Sequence, residues 1–496
     1  MNIAVNSSRP VAVIGAGPVG LAAAAHLADR GLDFVLLESG NSVGAAVRSW
    51  SHVRLFSPWR YNVDAAAVRL LAATRWRMPD PEAFPTGGEL FTRYLEPLSR
   101  LPAIAARLRL QTKVTAITRV GRDRMKNDPG RETAPFRLRL HTAAGESELL
   151  ARTVIDTSGT WQTPNPLGAE GVPARGEREL AAHIAYGIPD VLGRDRARYA
   201  GRRVLVVGSG HSAFNVLVDL AHLANEAPGT RMVWALRRDN VDGVFGGGTN
   251  DRLAARGALG AAVRRLLDAD LLTVERGFKL DALVRTAGGI VARSGERASP
   301  AVDEIIGATG FRPDFSFASE LQLGLDPAVG STPALAPMID PNLHSCGTVR
   351  PHGHRELAHP ESGFYIAGMK SYGRAPTFLM LTGYEQVRSI VAAIAGDLAA
   401  ADEVRLALPE TGVCTLARKG GATCCAADTN ASGDPASIVE AEPERGGGCC
   451  GGAPRENAAA CCVADEEAKA AGAAGCGCGG GRIETAARVA AVESAG

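Results

Sequence analysis

The chain has 496 residues, 46% of them hydrophobic and 22% charged, and a formal net charge of +1. That length allows two or three domains with sizeable cores, and the near-neutral charge gives no field that would favour nucleic acid or a membrane surface. No uninterrupted apolar run is long enough to span a bilayer.

The first candidate element is "VAVIGAGPVGLAAAAHLA" (Val11–Ala28). It could pass for the core of a secretory leader, but only Arg9 precedes it as a basic residue, and its Gly spacing fits strand, turn and helix better. A cytoplasmic protein is therefore expected, whose cysteines are thiols by default. The helix pattern stops at Gly31, and "DFVLLES" reads as a second strand, completing β–α–β. In "GAGPVG", Gly15 permits a tight turn, Gly17 lets backbone approach a pyrophosphate, and Gly20 lets helix and strand pack closely. With Pro18 and Val19, these residues open a helix whose N-terminal N–H groups and dipole favour an anion. Glu38, at the end of the second strand, is placed to accept from ribose hydroxyls.

Three small strands are expected next ("KVTAITRV", "FRLRLHTA", "TVIDTSG"), then a Pro/Gly-rich passage beginning at Trp161. Residues 202–236 repeat the first plan, with Gly208, Gly210, His211, Ser212 and Ala213 in "GSGHSA". The second strand of this unit ends in Arg237 and Arg238 rather than an acid. Arginine can grip a 2′-phosphate that a carboxylate would repel, which selects NADPH over NADH; the alternative is a solvated surface pair. "AVDEIIGATGFRPDF" follows, then "GFYIAGMKSYGRAPTFLMLTGYEQVRSIVAAIAGD", which reads as strand, loop and long helix.

Aromatic residues are absent from Asp402 to Gly496, where Gly, Ala, Cys, Glu and Asp dominate. Such a segment buries little apolar area, so a largely disordered tail is expected, with room for a short helix near Glu456–Ala471. It holds nine of the chain's 10 cysteines. Cys424, Cys425, Cys449, Cys450, Cys461, Cys462, Cys476 and Cys478 are the candidate soft-ion ligands. Neighbouring Cα atoms about 3.8 Å apart lie below the disulfide window of about 4.4–6.8 Å, so adjacent pairs tend to remain dithiols. Thiolates select cuprous copper, zinc or trivalent arsenic, and the spacing matches no zinc-finger pattern; redox buffering and an inert tail are the alternatives.

The two Gly motifs, "DTSG" (Asp156–Gly159) with Trp161 and Pro164, and "GATGFRPD" (Gly307–Asp314) together resemble the flavin-containing monooxygenase superfamily over about residues 9–400. The resemblance implies FAD on the first unit, NADPH on the second and Thr-Gly segments, with Gly159 and Gly310, linking them. The superfamily's fingerprint between the domains is incomplete: in "ERELAAHIAYGIPD", His183 and Tyr186 correspond, while its Phe and Gly are missing. "RLFSPWRYNVDA", "VGSGHSAFNVL", "APTFLMLTGYEQVRSI" and the Cys-rich tail are most similar to flavoprotein monooxygenases of arsenic-resistance operons. By the same resemblance Trp50 is an aromatic near the flavin, Val114 meets the adenine through its backbone, Gly368 touches FAD, and the helix starting near Thr377 points at the flavin pyrimidine edge. Ser57 and Asn62 in "SPWRYN" are candidates for an active-site loop, with a plain turn as the alternative; for Trp50 the alternative is a core aromatic.

The expected fold is therefore α/β, with two Rossmann-like dinucleotide-binding domains, the second inserted in the first, and the Cys-rich tail. The expected boundaries are 9–165 and 301–401 for the FAD domain, 166–300 for the NADPH domain and 402–496 for the tail. Neither region where a flavin disulfide reductase carries its redox pair holds a cysteine. That favours hydride transfer to FAD followed by reaction with O2 and oxygenation of a soft nucleophile, with a trivalent arsenical as the substrate the resemblance suggests. The alternative is an NADPH-dependent thiol, disulfide or metalloid reductase in which tail thiols swing in. A flexible span from Leu406 to Cys449 reaches about 35–40 Å, against a radius of gyration of about 21 Å for a 400-residue body. The expected partners are a small-molecule substrate and O2, with thiol-bound arsenic or another soft metal on the tail, no nucleic acid and no membrane, and a homodimer left open.

Overall fold

The chain begins with β1 (Val11–Ile14), α1 (Pro18–Asp29) and β2 (Phe34–Leu37), the β–α–β unit expected from its pattern. This computed structural model describes residues 9–241, 245, 254–269, 271–343, 349–375 and 378–406. Helix α1 is Ala-rich and buried nearly all round, because it lies against the sheet on one side and against three helices on the other. Its small side chains let the backbones approach closely. Helices α2 (Ala45–Ser49) and α3 (Ala65–Ala72) and several shorter helical turns precede the short β3 (Leu108–Arg109). Next come β4 (Lys113–Arg119), β5 (Phe136–Thr142) and β6 (Gly145–Ala151), which form an antiparallel three-stranded sheet.

"TVID" is not a member of that small sheet. It forms β7 (Thr153–Asp156), which pairs parallel with β1, Val11 opposite Thr153. All four of its residues are buried, as a central strand covered on both faces requires.

The chain then enters a second parallel sheet. Its strands are β8 (Ile184–Tyr186), β9 (Arg203–Val207), β10 (Arg231–Ala235), β11 (Thr273–Glu275) and, after the antiparallel β12 (Ala282–Thr286), β13 (Gly289–Ser294) and β14 (Arg297–Ala298), β15 (Glu304–Gly307). The order across this sheet is β11-β10-β9-β15-β8. Helix α4 (His211–Glu226) links β9 to β10, and α5 (Ala254–Asp268) precedes β11.

The return strand β16 (Phe364–Ile366) completes the first sheet in the order β16-β7-β1-β2-β3, all parallel. It leads to α6 (Met380–Ile394), which packs on α1, and to α7 (Leu398–Asp402). The second sheet is thus built entirely from chain that lies between two strands of the first. Past α7 the chain remains fastened: Arg388 donates to the Glu403 carbonyl, and Arg405 N donates to Glu385 Oε1 at 3.0 Å. Asp402 pairs with Arg355 and His354 at 2.6–2.9 Å. Among the described residues no helix is long and apolar enough to cross a membrane.

Candidate active site

Both Gly-rich loops lie at the carboxyl ends of parallel strands, where open α/β sheets bind ligands. After β1, Gly15 has φ +92°, and a Cβ there would stand 2.8 Å from Ser158 Cα. A Cβ on Gly20 would stand 1.8 Å from the Gly15 carbonyl oxygen. Gly17 differs, with nothing within 4 Å of where its Cβ would be. Two glycines are therefore required by packing, and the third leaves an open approach at the N-terminus of α1. Pro18 takes the first helical turn and Val19 is buried against Gly368, whose Cβ would meet Val19 Cγ2 at 3.3 Å. A loop shaped like this fits a pyrophosphate.

Glu38 follows β2 and is 8% exposed. Its Oε2 accepts from Ala16 N at 2.8 Å and its Oε1 from Gly40 N at 2.7 Å. The carboxylate thus braces the Gly loop and keeps lone pairs for hydroxyl donors. Val114 is buried in β4, beside a register shift that leaves Thr115 out of the ladder with β5.

The loop after β7 closes the site from the other side, and its braces had little signal in the sequence. Thr157 Oγ1 donates to the carbonyls of Ile14 (2.8 Å) and Gly15 (2.9 Å). Asp156 is 2.7 Å from the ammonium of Lys370, both side chains 1% exposed. Ser158 joins them, donating to Asp156 Oδ1 at 2.6 Å and meeting Lys370 Nζ at 3.1 Å. Lys370 also lies 4.4 Å from the Phe317 ring centroid. A buried ion pair of this kind needs such added partners to offset its desolvation.

In the second sheet, Gly208 has φ +132°, and a Cβ there would stand 2.2 Å from the Ala308 carbonyl oxygen. Gly210 is open, with nothing within 4 Å. Ala213 in α4 is wholly buried where the first loop has Gly20. Trp234 Nε1 donates to the Gly208 carbonyl at 2.7 Å and so fixes the loop from below. His211 and Ser212 open α4. Arg237 and Arg238 follow β10 and are exposed; Arg237 Nη1 donates to the Ala169 carbonyl at 3.1 Å.

The two segments that cross between the sheets run side by side. Asn165 N donates to the Gly310 carbonyl at 2.9 Å, and Arg312 N to the Thr163 carbonyl at 3.0 Å. Gly159 (φ +70°) and Gly310 (φ +83°) turn these segments. Trp161 of the first stacks on Phe311 of the second at 4.5 Å and lies 6.5 Å from Trp50. Phe56 lies 5.3 Å from His211, so the loop after α2 reaches the second Gly motif.

Ser57 and Asn62 have their polar atoms occupied within their own loop. Asn62 Nδ2 donates to the carbonyls of Ser57 (2.7 Å) and Pro58 (2.9 Å), and its Oδ1 accepts from Ser57 Oγ at 3.0 Å. Tyr384 on α6 donates to the Asn62 carbonyl at 2.9 Å, and burial pushes this phenol well above its ordinary pKa. His183 Nδ1 lies 3.3 Å from Glu304 Oε1, and Tyr186 donates to Glu177. Thr377 and the eight tail cysteines named above lie outside the described residues. Among the described residues, no three His, Cys, Asp or Glu side chains are grouped to hold a metal.

The family model described as pyridine nucleotide-disulphide oxidoreductase matches residues 12–337, from β1 of the first sheet through all of the second. The chain belongs to this family. By that membership it is of an oxidoreductase class whose cofactors are FAD and NADPH. It is 24% identical over 244 residues to the Flavin-containing monooxygenase FMO GS-OX-like 2 of Arabidopsis thaliana, a match covering 44% of this chain and 49% of that protein. The chain spans about half the length of the curated relatives it matches. Among solved structures, the fold is shared with the bacillithiol disulfide reductase Bdr (YpdA) of Bacillus cereus, with TM-score 0.58, 17% identity and coverage of 78% and 99%. It is shared too with the cadaverine monooxygenase DfoA of Erwinia amylovora, a structure bound to FAD, with TM-score 0.56, 14% identity and coverage of 82% and 99%.

Proposed function

We propose that the chain is an NADPH-dependent FAD monooxygenase that oxidises a soft nucleophile. The observation that carries this reading is the distribution of thiols: the first 345 residues contain no cysteine. Neither Gly loop, nor the helix behind it, can then supply the dithiol that a disulfide relay beside the flavin needs. The matched flavin-containing monooxygenase supports the same direction. The overall reaction is NADPH, a proton, O2 and substrate giving NADP+, water and oxygenated substrate. Bound FAD supplies the hydride acceptor and the site at which O2 is reduced.

The chain's own residues bind and orient. In this reading the N–H groups opening α1 beside Gly17 hold the FAD pyrophosphate, and Glu38 accepts from the ribose. Val114 backs the adenine, while Gly159 and Gly368 let backbone approach the isoalloxazine end. The N-terminus of α4, with His211 and Ser212, holds the NADPH pyrophosphate, and Arg237 and Arg238 hold its 2′-phosphate. Trp50, Trp161 and Phe311 wall the space between the sheets against water.

The finer reading is that the substrate is a trivalent arsenical gathered by the tail thiols. A second reading, thiol or metalloid reduction, is favoured by the same tail, whose adjacent Cys pairs are suited to remain dithiols. NADPH oxidation with arsenite, measured with and without O2, separates the two. Monooxygenation requires one O2 per NADPH and stops without it; turnover that continues without O2 refutes the proposal. Deleting Gly420–Gly496 should weaken arsenite binding while FAD stays bound, and unchanged arsenite affinity refutes the role of the tail.

A further inference from the structure

A cavity of about 270 Å³ opens where the first crossing segment meets the start of the second sheet. Trp161, Tyr186, Ile188 and Pro189 give it flat and apolar walls. The orientation of the two rings is fixed: Trp161 by stacking on Phe311, Tyr186 by its bond to Glu177. Tyr199, in the short helix Arg196–Tyr199, lines the cavity too and is wholly buried. Its hydroxyl has no hydrogen-bond partner among the described residues. Buried polar groups left unpaired are rare in native proteins and need a reason.

The charged part of the lining is Arg194, Asp195 and Arg198. Arg194 clasps Asp195 through Nε and Nη2 at 3.1–3.2 Å, and this pairing holds the Asp195 carboxyl below its ordinary pKa. Arg198 gives Nε to Glu304 at 2.6 Å and Nη2 to the Ala182 carbonyl at 3.0 Å. In both arginines Nη1 is outside these bonds. The lining therefore offers two guanidinium edges and the clasped Asp195 carboxylate beside aromatic walls, with the unpaired Tyr199 hydroxyl buried behind them.

We propose that this cavity binds a small planar carboxylate. Its ring would lie against Trp161 and Tyr186, and its carboxylate would accept from Tyr199 and from the Nη1 edges of Arg194 and Arg198. Such a ligand would complete the one hydroxyl that the folded chain leaves unpaired there. The site is independent of whether the reaction is oxygenation or reduction.

The test titrates the FAD-loaded full chain with benzoate, 4-hydroxybenzoate and indole-3-carboxylate, read by tryptophan fluorescence and calorimetry in the presence of saturating NADP+. At least one is expected to bind saturably, with Tyr199→Phe and Arg194→Gln each weakening it about tenfold or more, and its neutral amide binding correspondingly worse. Tyr199→Phe removes an unpaired buried hydroxyl, so its melting temperature should equal or exceed that of the parent chain. The proposal is overturned if none of the three binds, if both variants bind as the parent does, or if NADP+ displaces the ligand.

Discussion

Gly17 and Gly20 occupy the same loop for different reasons, and alanine at each should separate them. Gly17 has ordinary extended backbone (φ −76°, ψ −172°) and open space where a Cβ would stand. Its replacement should change stability by no more than about 1 kcal/mol, the worth of a glycine over alanine at a helix N-cap. The added methyl would occupy the approach to the N-terminus of α1. Losing one hydrogen bond to a charged phosphate costs about 1.5–3 kcal/mol, or about 10- to 150-fold in Kd for FAD. Gly20→Ala instead drives a methyl to 1.8 Å from a backbone carbonyl and 2.7 Å from Thr157 Oγ1. Neither neighbour is a flexible chain end, so α1 must move. Overpacking of this kind costs about 1–3 kcal/mol, against about 1 kcal/mol that alanine gains in helix propensity. The assay is FAD titration of the apoprotein by quenching of flavin fluorescence, alongside thermal melting. Gly17→Ala should keep its melting temperature and lose FAD affinity, whereas Gly20→Ala should lose both. A folded Gly17→Ala protein with parental FAD affinity would refute the reasoning.

Arg237→Ala should raise KM for NADPH about tenfold or more and leave KM for NADH nearly unchanged; equal effects in steady-state assays would remove the 2′-phosphate assignment. Lys370→Met leaves the Asp156 carboxylate buried without its cation and should cost about 3–5 kcal/mol in denaturant unfolding. Pairing it with Asp156→Leu should recover much of that loss, and a single variant as stable as the parent would contradict it. Asp219 on α4 has its pKa raised to about 6, chiefly by burial. A folded-state pKa above the unfolded value means that the native state binds the extra proton, so stability falls as pH rises through that interval. Asp219→Asn should therefore stabilise the fold at pH 8 more than at pH 5, by at most about 3 kcal/mol, and by less because the side chain is half-buried. The same gain at both pH values would refute this.

Both β–α–β units were legible because glycine, apolar runs and helix stops obey local rules, and Gly15, Gly20 and Gly208 are where close approach demands them. The membership of "TVID" was not legible. A short apolar strand carries no mark of which sheet it joins, and its partner β1 lies about 140 residues away. Lys370 left no trace for a similar reason: a lysine in a loop reads as solvated until the fold brings Asp156 beneath it. Ser57 and Asn62 had the right chemistry for a reactive loop, and sequence spacing did not reveal the hydrogen bonds between near neighbours that their polar atoms make. The cavity beside Tyr199 was equally hidden, because it depends on residues from α2, a crossing segment and a short helix meeting in space.

The first sheet carries a consequence for biosynthesis. β7 emerges from the ribosome about 200 residues before β16, the strand that pairs with its outer edge. At about 5–20 residues per second, that edge waits about 10–40 s for its partner. During that time the second sheet, whose strands all lie within residues 184–307, can assemble as a unit. An exposed strand edge is a template for pairing with other chains. Aggregation during expression should therefore depend on elongation through residues 157–363 and on chaperone supply, more than on the stability of the finished protein.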